Sequence, residues 1–279
     1  MSEQKARRIT NLELGKIDTV LTEKDRSVLE MIGKLRFIKT SQLQRIFYPV
    51  KNSKKTALSN MTLLLHRLER YGLIEHTKKQ VRNDYTDSKE YIWYLTETGK
   101  RIQKIGTEAE GKRGNYQPPA FTFSRHTIAV NECYVRIVEF CRNHKELATT
   151  SLDVEPDCWR LYDVHGKTYS LRPDLYASIL APHYADYWFI EMDLNTESIP
   201  IIVEKCRRYY EYRATGKEQQ RHKIFPVVVW LVPSEERKRA IITALKGNFL
   251  REPSRFMLVI TPDELEETLL NGAKKEDLC

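Results

Sequence analysis

Residues Gly106–Pro119, GTEAEGKRGNYQPP, place three glycines and two prolines in a stretch with little apolar content. Glycine leaves the backbone free and proline removes a hydrogen-bond donor, so neither a helix nor a strand runs through it. The stretch reads as a linker at residues 106–119, and it commits the chain to two modules, residues 1–105 and 120–279. At 279 residues each module has room for a core of its own.

The charge divides at the same place. Residues 1–118 carry 24 Lys/Arg against 14 Asp/Glu, a net of +10, and residues 119–279 carry 22 against 24, a net of −2. A basic excess confined to one module is the footprint of an appended polyanion-binding domain, although a merely soluble basic domain has the same charge. No uncharged apolar run approaches the length of a membrane span, and MSEQKARRIT lacks the apolar segment of a secretory signal. Five cysteines, Cys133, Cys141, Cys158, Cys206 and Cys279, form no C-x-x-C pair and are odd in number. These features point to the cytoplasm, with no membrane partner, disulfide framework or structural zinc.

The first module is patterned as helices followed by a hairpin. Thr22-x-x-Asp25 has the form of a capping box before Val28, Leu29, Ile32 and Leu35 at helical spacing. Thr40 or Ser41 is the expected cap of a short helix carrying Leu43, Ile46 and Phe47, stopped by Pro49. A longer helix, Lys54–Tyr71, presents Leu58, Met61, Leu64, Leu65 and Leu68 on one side and ends at Gly72. Extended segments Leu73–Thr77 and Tyr91–Leu95 enclose a polar tip, and Thr96 caps a last helix. The order of elements, with "LLLHRLERYGLIEH" and "YIWYLTETGKRI", resembles a winged helix-turn-helix.

That resemblance implies a partner, double-stranded DNA, with the third helix in the major groove, where a helix reaches base edges. Ser59, Asn60 and Thr62 lie on its polar side, and Ser59 and Asn60 are candidates for base-edge hydrogen bonds. Lys54, Lys55 and Arg67 are expected on phosphates, with Lys78, Lys79 and Arg82 of the wing beside them. A homodimer reading two half-sites fits such a module, and some winged helices bind protein instead.

The second module reads as α/β. A long helix, Ser124–Asn143, precedes extended segments Ser151–Glu155, Trp159–Tyr162, Leu171–Leu180 and Tyr187–Leu194. Helix Ile199–Tyr212 leads to the buried strand Val227–Val232 (VVVWLV), then helix Ser234–Lys246, strand Arg255–Ile260 and helix Pro262–Asn271. Three acids sit at strand ends: Asp174 in "LRPDLYASIL", and Glu191 and Asp193 in "YWFIEMDLN", two apart and so on one face. Carboxylates that converge repel one another unless a cation neutralises them, and oxygen-only ligands suit Mg²⁺ or Mn²⁺. The same acids could instead pair with Arg172, Lys205 or Arg208. Tyr209 and Tyr212 could be core aromatics, and His126 a packing residue. No G-x-x-x-x-G-K-[ST] and no G-x-G-x-x-G occurs, so no nucleotide or organic cofactor is expected.

Pro173-Asp174 followed by Glu191-x-Asp193 resembles the PD-(D/E)xK nucleases, which implies a restriction-endonuclease-like mixed sheet flanked by helices. It also implies Asp174 and Glu191 as catalytic metal ligands, with Asp193 as a further ligand. Those nucleases carry a lysine two residues after the Glu, where this chain has Asp193, and an aspartate cannot stabilise hydroxide as a cation does. Lys205-x-x-x-Tyr209 resembles an exonuclease-branch element that supplies the lysine from the following helix. The segments "RHTIAVNECYVRI", "RPDLY", "FIEMDLNTES" and "EKCRRYYEY" together resemble the replication-relaxation proteins of plasmids and mobile elements. The resemblance implies a DNA-binding accessory protein acting in replication, relaxation or DNA processing beside a replication or DNA-processing partner. Its nuclease-like domain would be a Mg²⁺-dependent endonuclease or nickase, or a degenerate relic of one. The alternative is a sequence-specific transcriptional regulator whose second domain only dimerises or binds a partner.

Overall fold

The computed structural model describes residues 9–50, 53–77, 81–82, 89–107, 124–249 and 256–272, with the backbone alone at 81, 82 and 124. The chain divides into two compact units, Met1–Asn131 and Glu132–Cys279.

In the first unit, α1 (Asn11–Val20) and α2 (Glu23–Leu35) precede β1 (Ile38–Lys39), α3 (Thr40–Phe47) and α4 (Lys54–Arg70). Then come β2 (Ile74–His76), β3 (Val81–Arg82), β4 (Lys89–Glu90), β5 (Ile92–Leu95) and α5 (Glu97–Ile102). Strands β1, β5 and β2 make an antiparallel sheet with β5 central, and β3 pairs with β4, giving the winged helix-turn-helix order. Val28, Leu29 and Ile32 of α2, Leu43 of α3 and Met61, Leu65 and Leu68 of α4 are buried in its core. The Leu-Thr-x-x-Gly exit has a steric reason. Thr96 Oγ1 donates to Gly72 O at 2.6 Å and accepts from Gly99 N at 3.0 Å. A Cβ on Gly99 would lie 2.0 Å from Leu73 O, so only glycine lets α5 start this close to the β2 backbone.

Helix α3 begins differently from the expectation. Its N-cap is Lys39, whose N–H donates to Gln42 Oε1 at 3.1 Å. Thr40 and Ser41 are already inside the helix and occupied elsewhere. Thr40 Oγ1 accepts from Trp93 Nε1, and Ser41 donates through N and Oγ to the Glu90 carboxylate. The long helix α6 (Ser124–Asn143) spans the division between the units. Its first eight residues belong with the winged helix, where Asn131 Nδ2 donates to Leu35 O at 3.0 Å and Gln42 Nε2 to Ile128 O at 3.1 Å.

The second unit is a mixed five-stranded sheet with helices. In chain order it holds β6 (Ala148–Val154), β7 (Arg160–Val164), β8 (Lys167–Leu171), β9 (Leu175–Leu180) and β10 (Ala185–Met192). There follow α7 (Ile199–Ala214), α8 (Lys217–His222), β11 (Val227–Leu231), α9 (Glu235–Asn248), β12 (Met257–Ile260), a 3-10 turn (Pro262–Glu264) and α10 (Leu265–Asn271). The sheet order is β12-β11-β10-β9-β6. β6, β9 and β10 are antiparallel, while β10, β11 and β12 are parallel, with α7 and α8 making the β10–β11 crossover. This is the mixed α/β sheet flanked by helices that the nuclease resemblance implies. Phe189, Val228, Trp230, Met257 and Val259 pack with Ile202, Cys206 and Tyr209 of α7 and Ile241 and Leu245 of α9. Ile190, Val229, Leu231 and Leu258, on the other face, are buried too, which is why VVVWLV carries no polar alternation.

The segment expected as one extended run, Leu171–Leu180, is two strands in two sheets. Pro173 has no N–H to continue a ladder, so pairing stops at Arg172-Pro173-Asp174. Among the described residues β8 pairs only with β7, and β9 joins the main sheet. Among the described residues no helix is long and apolar enough to cross a membrane.

Candidate functional site

The break before β9 places Asp174. Leu175 lies opposite Ile190 in the antiparallel β9–β10 pair, so one further step sets Asp174 against Glu191. Both carboxylates are buried, and Asp174 Oδ2 accepts from Met192 N at 2.7 Å, which fixes the acid against the end of β10. Glu191 projects toward α7, whose 3.6-residue period brings Lys205 and Tyr209 one turn apart onto the same side. Tyr209 Oη donates to Glu191 Oε1 at 2.6 Å, and Lys205 Nζ lies 3.8 Å from Glu191 Oε2. Lys205 also donates to Glu197 Oε1 at 2.8 Å.

The electrostatics follow from burial. Desolvation first, and then the neighbouring Asp174 charge, push the Glu191 carboxyl up to about 8 against the opposing pull of Lys205 and the Tyr209 hydrogen bond. For Lys205 desolvation lowers the ammonium, but the surrounding carboxylates of Glu191, Glu197 and Asp174 outweigh it and the net shift is upward. The Tyr209 phenol is raised by burial and by the anion it donates to.

The structure therefore brings together Asp174, Glu191, Lys205 and Tyr209. It does not bring in Asp193, which was expected as a third metal ligand. Its Oδ2 accepts from Arg237 Nε at 2.6 Å and its Oδ1 from Asn195 N at 2.9 Å, so its charge is already matched by a buried guanidinium. Arg237 Nη2 also donates to Glu197 O at 2.6 Å, which ties the β10–α7 turn to α9. Tyr212 serves a separate buried cluster, donating to Glu218 Oε1 at 2.6 Å beside Arg160. His126 belongs to the first unit. Arg237 and Glu197 were missed in the sequence. Arg237 stands 44 positions from Asp193 and no local spacing links them. Glu197 lies in a turn, where a side chain's direction has no period to predict it.

Among the described residues no group of three or more His, Cys, Asp or Glu could hold a metal ion. The donor set is two buried carboxylates, Asp174 and Glu191. Mg²⁺ is satisfied by one or two carboxylates when waters and substrate phosphates complete its octahedron. The pair fits that ion, not a caged structural metal.

In the first unit Lys54, Lys55, Ser59 and Asn60 are exposed along one side of α4. Thr62 is half-buried and its hydroxyl donates back to Leu58 O at 2.9 Å. Arg67, expected on phosphate, is instead paired with the buried Asp25 of α2. The reason is that an ionised Asp25, buried and shared with the Thr22 cap, needs a cation, and Arg67 is within reach. Lys78 and Lys79 lie outside the described residues, as does the side chain of Arg82.

The Asp25 pair sets an acid limit on the winged helix. Burial alone would raise the Asp25 carboxyl, but hydrogen bonds from Arg67 and from Thr22 N–H and hydroxyl outweigh it and hold the group below its usual value of 3.8. A depressed acid contributes stability that is complete above the unfolded value and is lost as pH falls through the folded one. Arg67→Ala is therefore expected to cost the first unit about 2 kcal/mol at pH 7 and to cost less as the pH falls below 3.8, as amide exchange in α2 and α4 would measure. An undiminished cost in acid would show that Arg67 acts through packing alone.

The replication-relaxation family model matches residues 29–228, well over half of the chain and both units. The chain belongs to the replication-relaxation family. For this family member no curated protein gives a match. Two solved structures of the restriction endonuclease FokI are similar to it. The one bound to DNA has a TM-score of 0.28 and 10% identity, over 96% of this chain and 75% of the other. The second FokI structure has a TM-score of 0.26 and 11% identity, over 96% and 77%. Superpositions this loose do not bear on function. The replication-relaxation match spans Asp174, Glu191 and Lys205.

Proposed function

We propose that this replication-relaxation protein is a DNA-binding accessory factor of a plasmid or other mobile element, and that its second unit cuts or nicks DNA with Mg²⁺ or Mn²⁺ held by Asp174 and Glu191. The observation that carries the reading is the meeting of Asp174, Glu191 and Lys205 at the ends of β9 and β10, with Lys205 3.8 Å from Glu191 Oε2. That ammonium stands in for the lysine missing at position 193. The bound ion would supply charge neutralisation for the phosphate and a water of lowered pKa. Asp174 and Glu191 would hold it. Tyr209 fixes the Glu191 rotamer through its 2.6 Å hydrogen bond, and Lys205 favours the ionised carboxylate and offers a cation beside the attacking water. The first unit would bring duplex DNA to the site, with Ser59 and Asn60 of α4 at base edges and Lys54 and Lys55 on phosphates.

A second reading, a DNA-binding regulator with a silent second unit, draws on one distance. Lys205 is 2.8 Å from Glu197 and 3.8 Å from Glu191, so its charge is already shared. A supercoiled-plasmid assay with Mg²⁺, Mn²⁺ or EDTA separates the two. Catalysis predicts metal-dependent open circles, at least 100-fold fewer with Glu191→Gln or Lys205→Ala, while gel-shift affinity is unchanged. Intact plasmid with a retained shift selects the regulator. In either case Lys54→Ala with Lys55→Ala is expected to weaken binding and reduce its salt dependence by about two phosphate contacts. No shift at all would remove the DNA premise.

A further inference from the structure

Lys205 stands between two carboxylates and is bonded to one of them. Its Nζ donates to Glu197 Oε1 at 2.8 Å and lies 3.8 Å from Glu191 Oε2, beyond hydrogen-bond reach. Among the described residues the bond to Glu197 is its only one, and the Trp230 ring centroid is 5.8 Å from Nζ. Side chains on a helix lean toward its N-terminus, so Lys205 on α7 is aimed back at the turn 193–198 and at the end of β10 together. The turn decides which acid it takes. Arg237 of α9 donates from Nη2 to Glu197 O and from Nε to Asp193 Oδ2, each at 2.6 Å, while Asn195 N closes on Asp193 Oδ1 at 2.9 Å. The main chain at Glu197 is thereby tied to α9. Its carboxylate reaches Lys205 and no other partner among the described residues.

The consequence falls on Glu191. Tyr209 occupies its Oε1 at 2.6 Å, and among the described residues no donor lies within hydrogen-bond distance of Oε2. A buried carboxylate attracts any ammonium in reach, and an ammonium seated on Oε2 would compete with a metal cation for that oxygen. Lysine carries its charge on a flexible four-carbon stem, so rotation at the tip would close the remaining gap were Glu197 not holding it. We infer that Glu197 is a positioning residue: by holding Lys205 it keeps Glu191 Oε2 open to a divalent cation, and the ammonium stays beside the site without filling it. The Asp193–Arg237 pair serves the same end through the main chain of the turn. The inference rests on the metal-dependent reading above and names what sets the affinity of that site for its ion.

The test uses the full chain without DNA and Mn²⁺ as the probe, the free ion being counted by its electron paramagnetic resonance signal at one pH. The Glu197 and Lys205 side chains are 34% and 36% exposed, so their replacement leaves the fold intact. Glu197→Ala is expected to weaken Mn²⁺ binding about tenfold, as the loss of an outer partner of a metal site does. Lys205→Ala with Glu197→Ala should bind within about threefold of Lys205→Ala alone, because no ammonium is left to take Oε2. The cycle separates position from charge, since a direct ligand or a plain negative charge at position 197 loses the same factor in both backgrounds. An equal loss in both, or no loss with Lys205 present, overturns the inference and leaves the metal reading standing. No Mn²⁺ binding by the unchanged chain removes both.

Discussion

Glu191→Gln is expected to make the second unit more stable, not less, and increasingly so as the pH rises. The carboxyl is buried beside Asp174 and is pushed up to about 8, so the folded state holds its proton more tightly than the unfolded chain does. The sign follows from proton counting. Between the ordinary value of 4.5 and about 8 the folded state binds more protons, so stability falls as pH rises through that window, and the full cost is present above it. Glutamine has no proton to lose and keeps an oxygen for the Tyr209 hydroxyl, and Lys205 keeps Glu197 at 2.8 Å. At about 1.4 kcal/mol per pKa unit the ceiling is about 5 kcal/mol. The amide NH₂ would face the Lys205 ammonium, which returns part of that. A net gain on the order of 2–4 kcal/mol above pH 8 is expected, and little difference near pH 4.5. Amide exchange of β10 and β11 in the two proteins at pH 5 and pH 9 measures it, and parallel pH profiles would refute it. A carboxylate that costs stability where it stands is consistent with the chemical role proposed for Glu191.

Arg237→Ala should do the reverse. It leaves the Asp193 side chain fully buried with no cation, and it frees Glu197 O from its 2.6 Å bond. Breaking a buried pair from one side costs about 3–5 kcal/mol, mostly because the surviving charge has lost both water and partner. Unfolding of the second unit should therefore shift by that amount. Adding Asp193→Asn should recover more than half of it, since the stranded charge is gone. If the double variant is as unstable as Arg237→Ala alone, Arg237 acts through its bond to the turn rather than through Asp193. A metal-ligand role for Asp193 predicts something different: Asp193→Asn alone would weaken Mn²⁺ binding and Arg237→Ala would not.

The elements with strong periodicity were legible in the sequence. α4 carried its apolar stripe at helical spacing, and VVVWLV could only be a strand covered on both sides. Asp174 and Glu191 were joined in the sequence only by the resemblance of Pro173-Asp174 and Glu191-x-Asp193 to the PD-(D/E)xK nucleases, because strand alternation by itself paired Glu191 with Asp193. The hairpin β7–β8 was not separable from β9, because "KTYSLRPDLYASIL" is extended throughout and only pairing shows where one sheet stops. The partners of Arg67 and Asp193 were hidden for another reason. Each is fixed by a charge from a distant element, Asp25 at 42 positions and Arg237 at 44. Local spacing records which face a side chain takes, not which ion waits there. Helix α6, read as the start of the second module, gives its first eight residues to the winged helix because Asn131 satisfies the carbonyls that end α2.

The Asp193–Arg237 pair also bears on the history open to this lineage. A single substitution that placed lysine at position 193 would set an ammonium against the Arg237 guanidinium in a buried pocket, where like charges are intolerable. Replacing Arg237 first strands Asp193 instead. Both one-step changes pass through a damaged protein. The aspartate and the arginine are thus entrenched together, and a change at either position requires a change at the other.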